Sequence, residues 1–285
     1  MSATTLTTAP TAPTTATEPP EPATRAKDDG RIGLRAHLRH TGALAQRNVL
    51  AIRQDPQSIL DAVLAPIILT LLFVFVFGGA IFPSRDAYVD YVVPGLMAMM
   101  GLNIAMAVGT GFNQDFETGV MDRFRSLPIA RSSVLIAKIV VEIGRMLIAT
   151  AILLAMGFAL GLSVDSVGGL LAAIGLAVLF GSALMWIFLT MGVVMKNAQA
   201  IQSLGFLVLM PLQFGSSIFA PTDTMPDWLQ TFTDYNPLSA LADAARSLIG
   251  GNGASGHDLV VVLAWTAALT LVMAPVAIRK FQTRT

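Results

Sequence analysis

Long apolar stretches without charge alternate with short polar segments along most of this chain. Six stretches contain no Asp, Glu, Lys or Arg: 62–84, 91–114, 146–164, 166–195, 197–222 and 259–278. Each comes close to or exceeds the ~20 residues that a helix needs to cross a ~30 Å hydrocarbon core. Barrel strands would alternate polar and apolar residues, whereas the segment FVFVFGGAIF is apolar throughout. The pattern therefore predicts an all-α membrane protein with six transmembrane helices, at about 59–82, 90–113, 138–162, 167–195, 200–220 and 259–278.

Composition narrows the class of protein further. The 285 residues are 54% hydrophobic and 13% charged, with no net charge and no cysteine, whereas ordinary soluble domains are about 25% charged. Nucleic-acid binding and a disulfide-rich secreted scaffold are both poorly supported by these values. Small residues recur four apart at Gly101, Ala105 and Gly109, and again at Gly157 and Gly161. That spacing allows close helix packing, and a mechanistic role for these glycines stays open.

The basic residues predict the orientation in the membrane. With six spans, all Lys and Arg residues except Arg85 and Arg246 fall on one face. The positive-inside rule then places both termini in the cytoplasm, with the chain in the inner (plasma) membrane. Tyr88, Tyr91 and Tyr235 fall on the opposite face, together with Trp228, as in an interfacial aromatic belt.

The segments outside the spans have distinct characters. Residues 1–30 are rich in Thr, Ala and Pro and predict a disordered cytoplasmic tail, which leaves 31–285 as the transmembrane domain. Residues from about 31 to 53 predict a basic amphipathic helix at the inner interface, or else an ordinary solvated helix. In the external segment, about 221–257, Asn236-Pro237 predicts a helix start and Gly250-Gly251 its end. We expect this short helix, between spans five and six, to pack over the outer mouth of the bundle.

Several kinds of chemistry are missing from the sequence. No Lys follows a Gly, so the chain has no phosphate-binding loop of the Gly-Lys-Ser/Thr kind. The three histidines, His37, His40 and His257, lie outside the predicted spans, which argues against an intramembrane metal or Ser-His site. The sequence thus predicts no catalytic residues, no metal site and no cofactor bound by this chain.

One cluster of charged residues lies where the third span begins. Glu142 has Lys138 four residues before it and Arg145 three residues after it. Opposite charges at that spacing stabilise a helix, so Lys138, Glu142 and Arg145 predict an ion-paired helix start. A proton relay is the alternative, because carriers coupled to ions place carboxylates within the membrane.

The cytoplasmic loop at about 113–133 combines exposed apolar and charged residues. Phe116, Val120 and Phe124 recur every four residues and would form one apolar edge of a short helix. Such an edge is typical of a helix that docks in a groove of another protein. Anchoring at the membrane interface is the alternative explanation.

Specific motifs now point to a family. The stretch DFETGVMDRFRSLPIARSSVLIAK resembles the cytoplasmic coupling region of type-2 ABC exporter permeases, especially the daunorubicin-resistance (multidrug) permease family. The stretches RNVLAIRQDPQSILDAVLAPIILTLLFVFVFGGAI, YVDYVVPG and FAPTDTMPDWLQTFTDYNPLSALADAARSL are similar to other parts of the same family. The resemblance covers the chain from about residue 44 to 250.

This resemblance implies an assembly and an energy source. It implies two permeases, identical or different, docked on two cytoplasmic ABC ATPase subunits that bind ATP and Mg²⁺. It also implies an ATPase-coupling role for a set of loop residues: Asp115, Phe116, Glu117, Gly119, Arg123 and Arg125. The expected function is ATP-driven export of a drug-like amphiphilic or lipophilic compound, as in antibiotic resistance. Lipid or polysaccharide export, an ion-coupled secondary carrier and a subunit that only recruits or senses are the alternatives.

The apolar interior suggests a path for such a cargo between subunits. The candidate residues are large apolar or uncharged polar side chains in the spans: Phe73, Phe75, Met97, Asn103, Gln213 and Phe214. Core packing or lipid contact is the alternative role for each of them.

Overall fold

The computed structural model describes residues 56–119 and 131–284, and within them the chain forms helices and turns without a strand. The helices are α1 Pro56–Leu72, α2 Gly78–Ile81, α3 Arg85–Glu117, α4 Arg131–Ala159, α5 Val167–Val194, α6 Ala198–Phe214, α7 Asp227–Asp234, α8 Pro237–Ile249 and α9 Gly256–Arg284. A π-helical segment, Phe73–Phe77, joins α1 to α2, and a 3₁₀ turn precedes α7. The predicted tail at 1–30, the amphipathic helix at about 31–53 and loop residues 120–130 lie outside the described residues.

Within residues 56–119 and 131–284, five segments are long and apolar enough to cross a membrane. They are Val63–Ile81, Arg85–Glu117, Val134–Ala159, Val167–Val194 and Gly256–Thr283. The remaining apolar helix, α6, has 17 residues, which at 1.5 Å per residue gives about 25 Å, short of a ~30 Å hydrocarbon core. The fold is therefore that of a multi-pass helical membrane protein. A sixth span over 200–220 is not confirmed at the predicted length.

The early end of α6 has a clear local cause. The Gly215 N–H donates to the Pro211 carbonyl oxygen at 2.8 Å and closes the last turn. Asn236 Nδ2 donates to the carbonyl oxygens of Leu212 and Gly215, both at 2.8 Å. The carbonyls at the helix end are thus satisfied by a turn and a side chain, and residues 215–221 leave the helical path. This non-helical segment is largely buried, which is how irregular backbone can lie beside a membrane.

Close packing of α3 against α5 forms the centre of the bundle. A Cβ placed on Gly109 would lie 2.5 Å from the Phe188 carbonyl oxygen, and one on Gly192 would lie 2.6 Å from the Gly109 carbonyl oxygen. Farther along, a Cβ on Gly101 would lie 3.3 Å from the Gly181 Cα atom. Only glycine allows two backbones to approach this closely. The small residues of α3 therefore serve packing against α5.

The short helix predicted after Asn236 is confirmed as α8. The Asn236 side chain accepts a hydrogen bond from the Leu238 N–H, Pro237 occupies the first turn, and Gly250 follows the last helical residue. At the other end of α8, the Ile249 carbonyl oxygen accepts hydrogen bonds from the N–H groups of Asp165 and Ser166. The helix is packed among α3, α5 and α9 and most of its residues are buried. We call this end of the bundle the α8 end and the opposite end the Asp115 end.

Candidate functional sites

The last turn of α3 contains three of the predicted coupling residues. Asp115, Phe116 and Glu117 continue α3 without a break, and the helix ends where the Thr118 N–H donates to the Gln114 carbonyl oxygen at 2.9 Å. Gly119 follows with a φ of +72°, a left-handed conformation that glycine adopts without strain. These residues therefore belong to a long helix that reaches into the bundle. Arg123 and Arg125 lie outside the described residues.

The side chains of this turn differ in accessibility. The Phe116 ring centroid lies 5.4 Å from that of Phe112 and 6.0 Å from that of Phe281 on α9, so this ring packs within the chain. Glu117 is exposed, and the Asp115 side chain is 34% exposed. Among the predicted coupling residues that the structure describes, Glu117 is consequently the charged side chain most accessible to a partner.

The charged residues of α4 do not form the single ion-paired group at the start of the helix that the sequence predicts. Lys138 Nζ lies 3.4 Å from Asp115 Oδ2 on α3, so this ion pair joins two helices. Arg145 Nε lies 3.3 Å from Glu142 Oε2 on α4 itself. Because α4 begins at Arg131, Arg145 lies halfway along the helix rather than at its start. The predicted residues are thus split between a pair at the Asp115 end and a pair deeper in the bundle.

The six residues proposed for a substrate path are brought together in part, since Phe73 and Phe214 both pack on the Phe219 ring. Phe73 packs on Phe219 with ring centroids 4.5 Å apart, and Met97 and Gln213 are buried. Phe75 and Phe214 are exposed, with 54% and 59% of their surface accessible. Asn103 lines a cavity of about 200 Å³.

A larger apolar cavity at the α8 end was not predicted from the sequence. Its volume is about 590 Å³, within the ~300–1,000 Å³ range typical of ligand pockets. Five aromatic side chains take part in its lining: Phe180, Trp228, Phe232, Tyr235 and Trp265. Two of them, Trp228 and Tyr235, belong to the predicted interfacial belt, but nothing in the sequence spacing of the five indicates that they share one cavity.

A hydrogen-bond network around Arg246 holds the α8 end together. Arg246 Nε donates to the Tyr91 carbonyl oxygen at 2.8 Å, and Nη2 donates to the Ser217 and Ile218 carbonyl oxygens at 2.8 and 3.2 Å. Nη1 donates to Asp243 Oδ1 and to Ser217 Oγ. The guanidinium carbon also lies 3.6 Å from the Tyr91 ring centroid. One side chain therefore joins α8, α3 and the non-helical segment 215–221.

The long apolar helices define a multi-pass helical membrane protein with cavities between its helices. The chain belongs to the ABC-2 type transporter family, whose family model matches residues 39–249. It is 34% identical over 241 residues to the daunorubicin resistance ABC transporter permease protein DrrB1 of Streptomyces coeruleorubidus, with 84% of each chain covered. It is also 25% identical over 242 residues to a probable doxorubicin resistance ABC transporter permease protein, DrrC of Mycobacterium tuberculosis, covering 82% of this chain and 86% of that protein. The family resemblance seen in the motifs is confirmed, and the chain is a membrane subunit of an ABC transporter.

Proposed function

We propose that this chain is the permease of an ATP-driven exporter that moves a drug-like amphiphilic or lipophilic compound out of the cell. The observation that carries the proposal is the 34% identity to a daunorubicin resistance permease over 84% of both chains. The absence of a Gly-Lys-Ser/Thr loop in the sequence supports an energy source in a separate subunit. That subunit is a cytoplasmic ABC ATPase with ATP and Mg²⁺, and the complex contains two permeases and two ATPases.

The proposed topology has six spans, with α6 as the fifth in chain order and α9 as the sixth. This topology is supported by the packing at the α8 end, where the largely buried residues 215–221 and α8 fill the space beyond the end of α6. The α8 end, which contains Arg85 and Arg246, is the outer face under the positive-inside rule. The chain then lies in the inner membrane, with both termini and the Asp115 end facing the cytoplasm.

The proposed contact with the ATPase is at the Asp115 end. Glu117 offers an exposed charge at the tip of α3, and the Lys138–Asp115 pair connects that tip to α4. A displacement of the tip of α3 by the ATPase would therefore be transmitted to both α3 and α4. Binding energy of ATP can drive export only if it favours one arrangement of these helices over the other.

Two measurements test the proposal. Membrane vesicles that contain the permease and its ATPase should accumulate a lipophilic dye with ATP, and a protonophore should leave that uptake unchanged. Uptake that follows a proton gradient without ATP would instead support an ion-coupled carrier. For the contact, Glu117→Ala should lower ATPase co-purification and dye transport at least several-fold. Asp223→Ala, which removes an exposed carboxylate at the α8 end, is the matched control; equal behaviour of the two variants would refute the assigned contact.

A further inference from the structure

Arg145 is a charged residue deep inside an apolar helix. It is the fifteenth of the 29 residues of α4, and it follows the ion-paired Lys138 by seven residues, or about 10 Å along the helix axis. Its neighbour Met146 packs against Gly101, where a Cβ would lie 3.0 Å from the Met146 methyl carbon. Gly101 lies near the middle of α3. A charge at this depth is costly and marks a functional site more often than a structural one.

The neighbouring carboxylate neutralises Arg145 without using all of its donors. Glu142, only 5% exposed, pairs with Nε of Arg145 at 3.3 Å. Within residues 56–119 and 131–284 this ion pair is the only polar contact of Arg145, and it is not a hydrogen bond, since Glu142 Oε2 accepts none. The pair is thus electrically neutral, but the fork of the guanidinium still has N–H groups to donate.

A cavity adjoins this side chain. It measures about 200 Å³ and lies between α1, α3 and α4. Arg145 and Asn103 are the polar side chains of its wall, and the Asn103 amide has no hydrogen-bond partner in the described part of the chain. The rest of the wall is apolar: Ala65, Pro66, Leu69, Met100, Ile104 and Ala149. The Arg145 side chain is 21% exposed and Asn103 is partly exposed. Inside a membrane span such donors do not meet bulk water, so two of them in one cavity indicate a ligand that accepts their hydrogen bonds.

We propose that this cavity is a subsite for a ketone-like carbonyl group on the transported amphiphile. This inference rests on the proposed export function. The donors of Arg145 and Asn103 require an acceptor, and the neutrality of the Arg145–Glu142 pair favours an uncharged one, because an anion would add a net charge within the apolar layer. A volume of about 200 Å³ is below the ~300–1,000 Å³ of complete ligand pockets. The cavity therefore holds the carbonyl end of the cargo, and the rest of the cargo lies outside it.

A matched pair of probes tests the subsite. 1-Acetylpyrene carries a ketone, and 1-ethylpyrene has nearly the same shape without an acceptor. The full chain has no cysteine, so Ala65→Cys places a single thiol in the cavity wall of permease held in lipid nanodiscs. We expect 1-acetylpyrene to protect this thiol from a maleimide at a concentration at least tenfold lower than the concentration of 1-ethylpyrene that gives the same protection. A tenfold difference in affinity is what one hydrogen bond from a charged donor provides. Equal protection by the two probes would overturn the proposal.

Further variants separate this role from a structural one. The double change Arg145→Met and Glu142→Leu removes both charges, which avoids leaving one buried charge unpaired, and Asn103→Leu changes the second polar group alone. Both should reduce the preference for the ketone to within about threefold. A preference that persists in both variants contradicts the subsite.

The controls use other parts of the chain. Lys196→Met removes an exposed charge outside the cavity and should keep the full preference for the ketone. A thiol at exposed Leu171 on α5 should be labelled at the same rate with either probe. This binding assay needs no ATPase. Ketone preference without ATP-dependent dye transport would keep the subsite and refute the exporter, whereas dye transport with equal protection would refute the subsite alone.

Discussion

Replacing Arg246 with alanine would remove the guanidinium donors that connect α8 to α3 and to the non-helical segment 215–221. The guanidinium is the hydrogen-bond donor for the backbone carbonyls of Tyr91, Ser217 and Ile218, and it is also paired with Asp243. The Arg246 side chain is 13% exposed, so the three carbonyl oxygens would lose donors in a place that water reaches poorly.

The size of the effect follows from these contacts. Removing one partner of a buried charged network costs about 3–5 kcal/mol of the free energy of unfolding. The Asp243 side chain is 44% exposed and would be rehydrated, so most of the loss comes from the carbonyl oxygens, at about 1–3 kcal/mol each when left unpaired. We therefore expect a loss of about 3–5 kcal/mol, which corresponds to a fall in melting temperature of roughly 6–20 °C.

The assay is the temperature at which half of the detergent-purified protein stays monodisperse. Arg246→Lys should give an intermediate loss, because an ammonium cannot reproduce the planar fork. The matched control is Arg85→Ala at the same end, where an exposed guanidinium lies 4.6 Å from the Phe75 ring, a contact worth no more than about 1 kcal/mol. If the Arg246 and Arg85 variants melted at the same temperature, the network would not stabilise the α8 end.

Three further changes can be checked with the same melting assay. Gly109→Ala should lower the free energy of unfolding by about 2–3 kcal/mol, because its Cβ would lie 2.5 Å from an α5 carbonyl oxygen. The control is Gly175→Ala, whose Cβ would have no atom within 4 Å and which should change that free energy by less than about 1 kcal/mol. Equal effects of the two changes would refute the packing argument. Asn113→Ala removes two hydrogen bonds donated to the end of α5 and should cost about 1–3 kcal/mol. Asp90→Ala removes the acceptor of two hydrogen bonds from Ser163 and should cost about 1 kcal/mol; an unchanged melting temperature in either variant would contradict its role.

Much of the fold could be predicted because membrane helices leave a strong pattern in the sequence. Charge-free stretches located the long helices, and Asn236-Pro237 with Gly250 defined α8 to within a residue, since caps depend on local chemistry. The end of α6 was placed too late because residues 215–220 contain no charge. What stops that helix is the side chain of Asn236, more than twenty residues farther along the chain.

The sites were harder to predict because their contacts join distant parts of the chain. Local spacing pairs Lys138 with Glu142, but the partner of Lys138 in the structure is Asp115 on another helix. The same spacing gave no sign that Arg145 lies beside a cavity with Asn103. Spacing along one helix shows which residues share a face, but only the packing of helices decides what that face meets.

The attachments of α8 constrain how this subunit can change shape. Its start is fixed to the end of α6 by Asn236, its last carbonyl to the turn between α4 and α5 by Asp165, and its last turn to α3 by Arg246. A helix anchored at three points cannot swing like a flap. Widening this end must instead move α8 together with the elements it joins. We expect the flexibility for such a movement in the π-helical segment Phe73–Phe77 between α1 and α2, which interrupts regular helical winding.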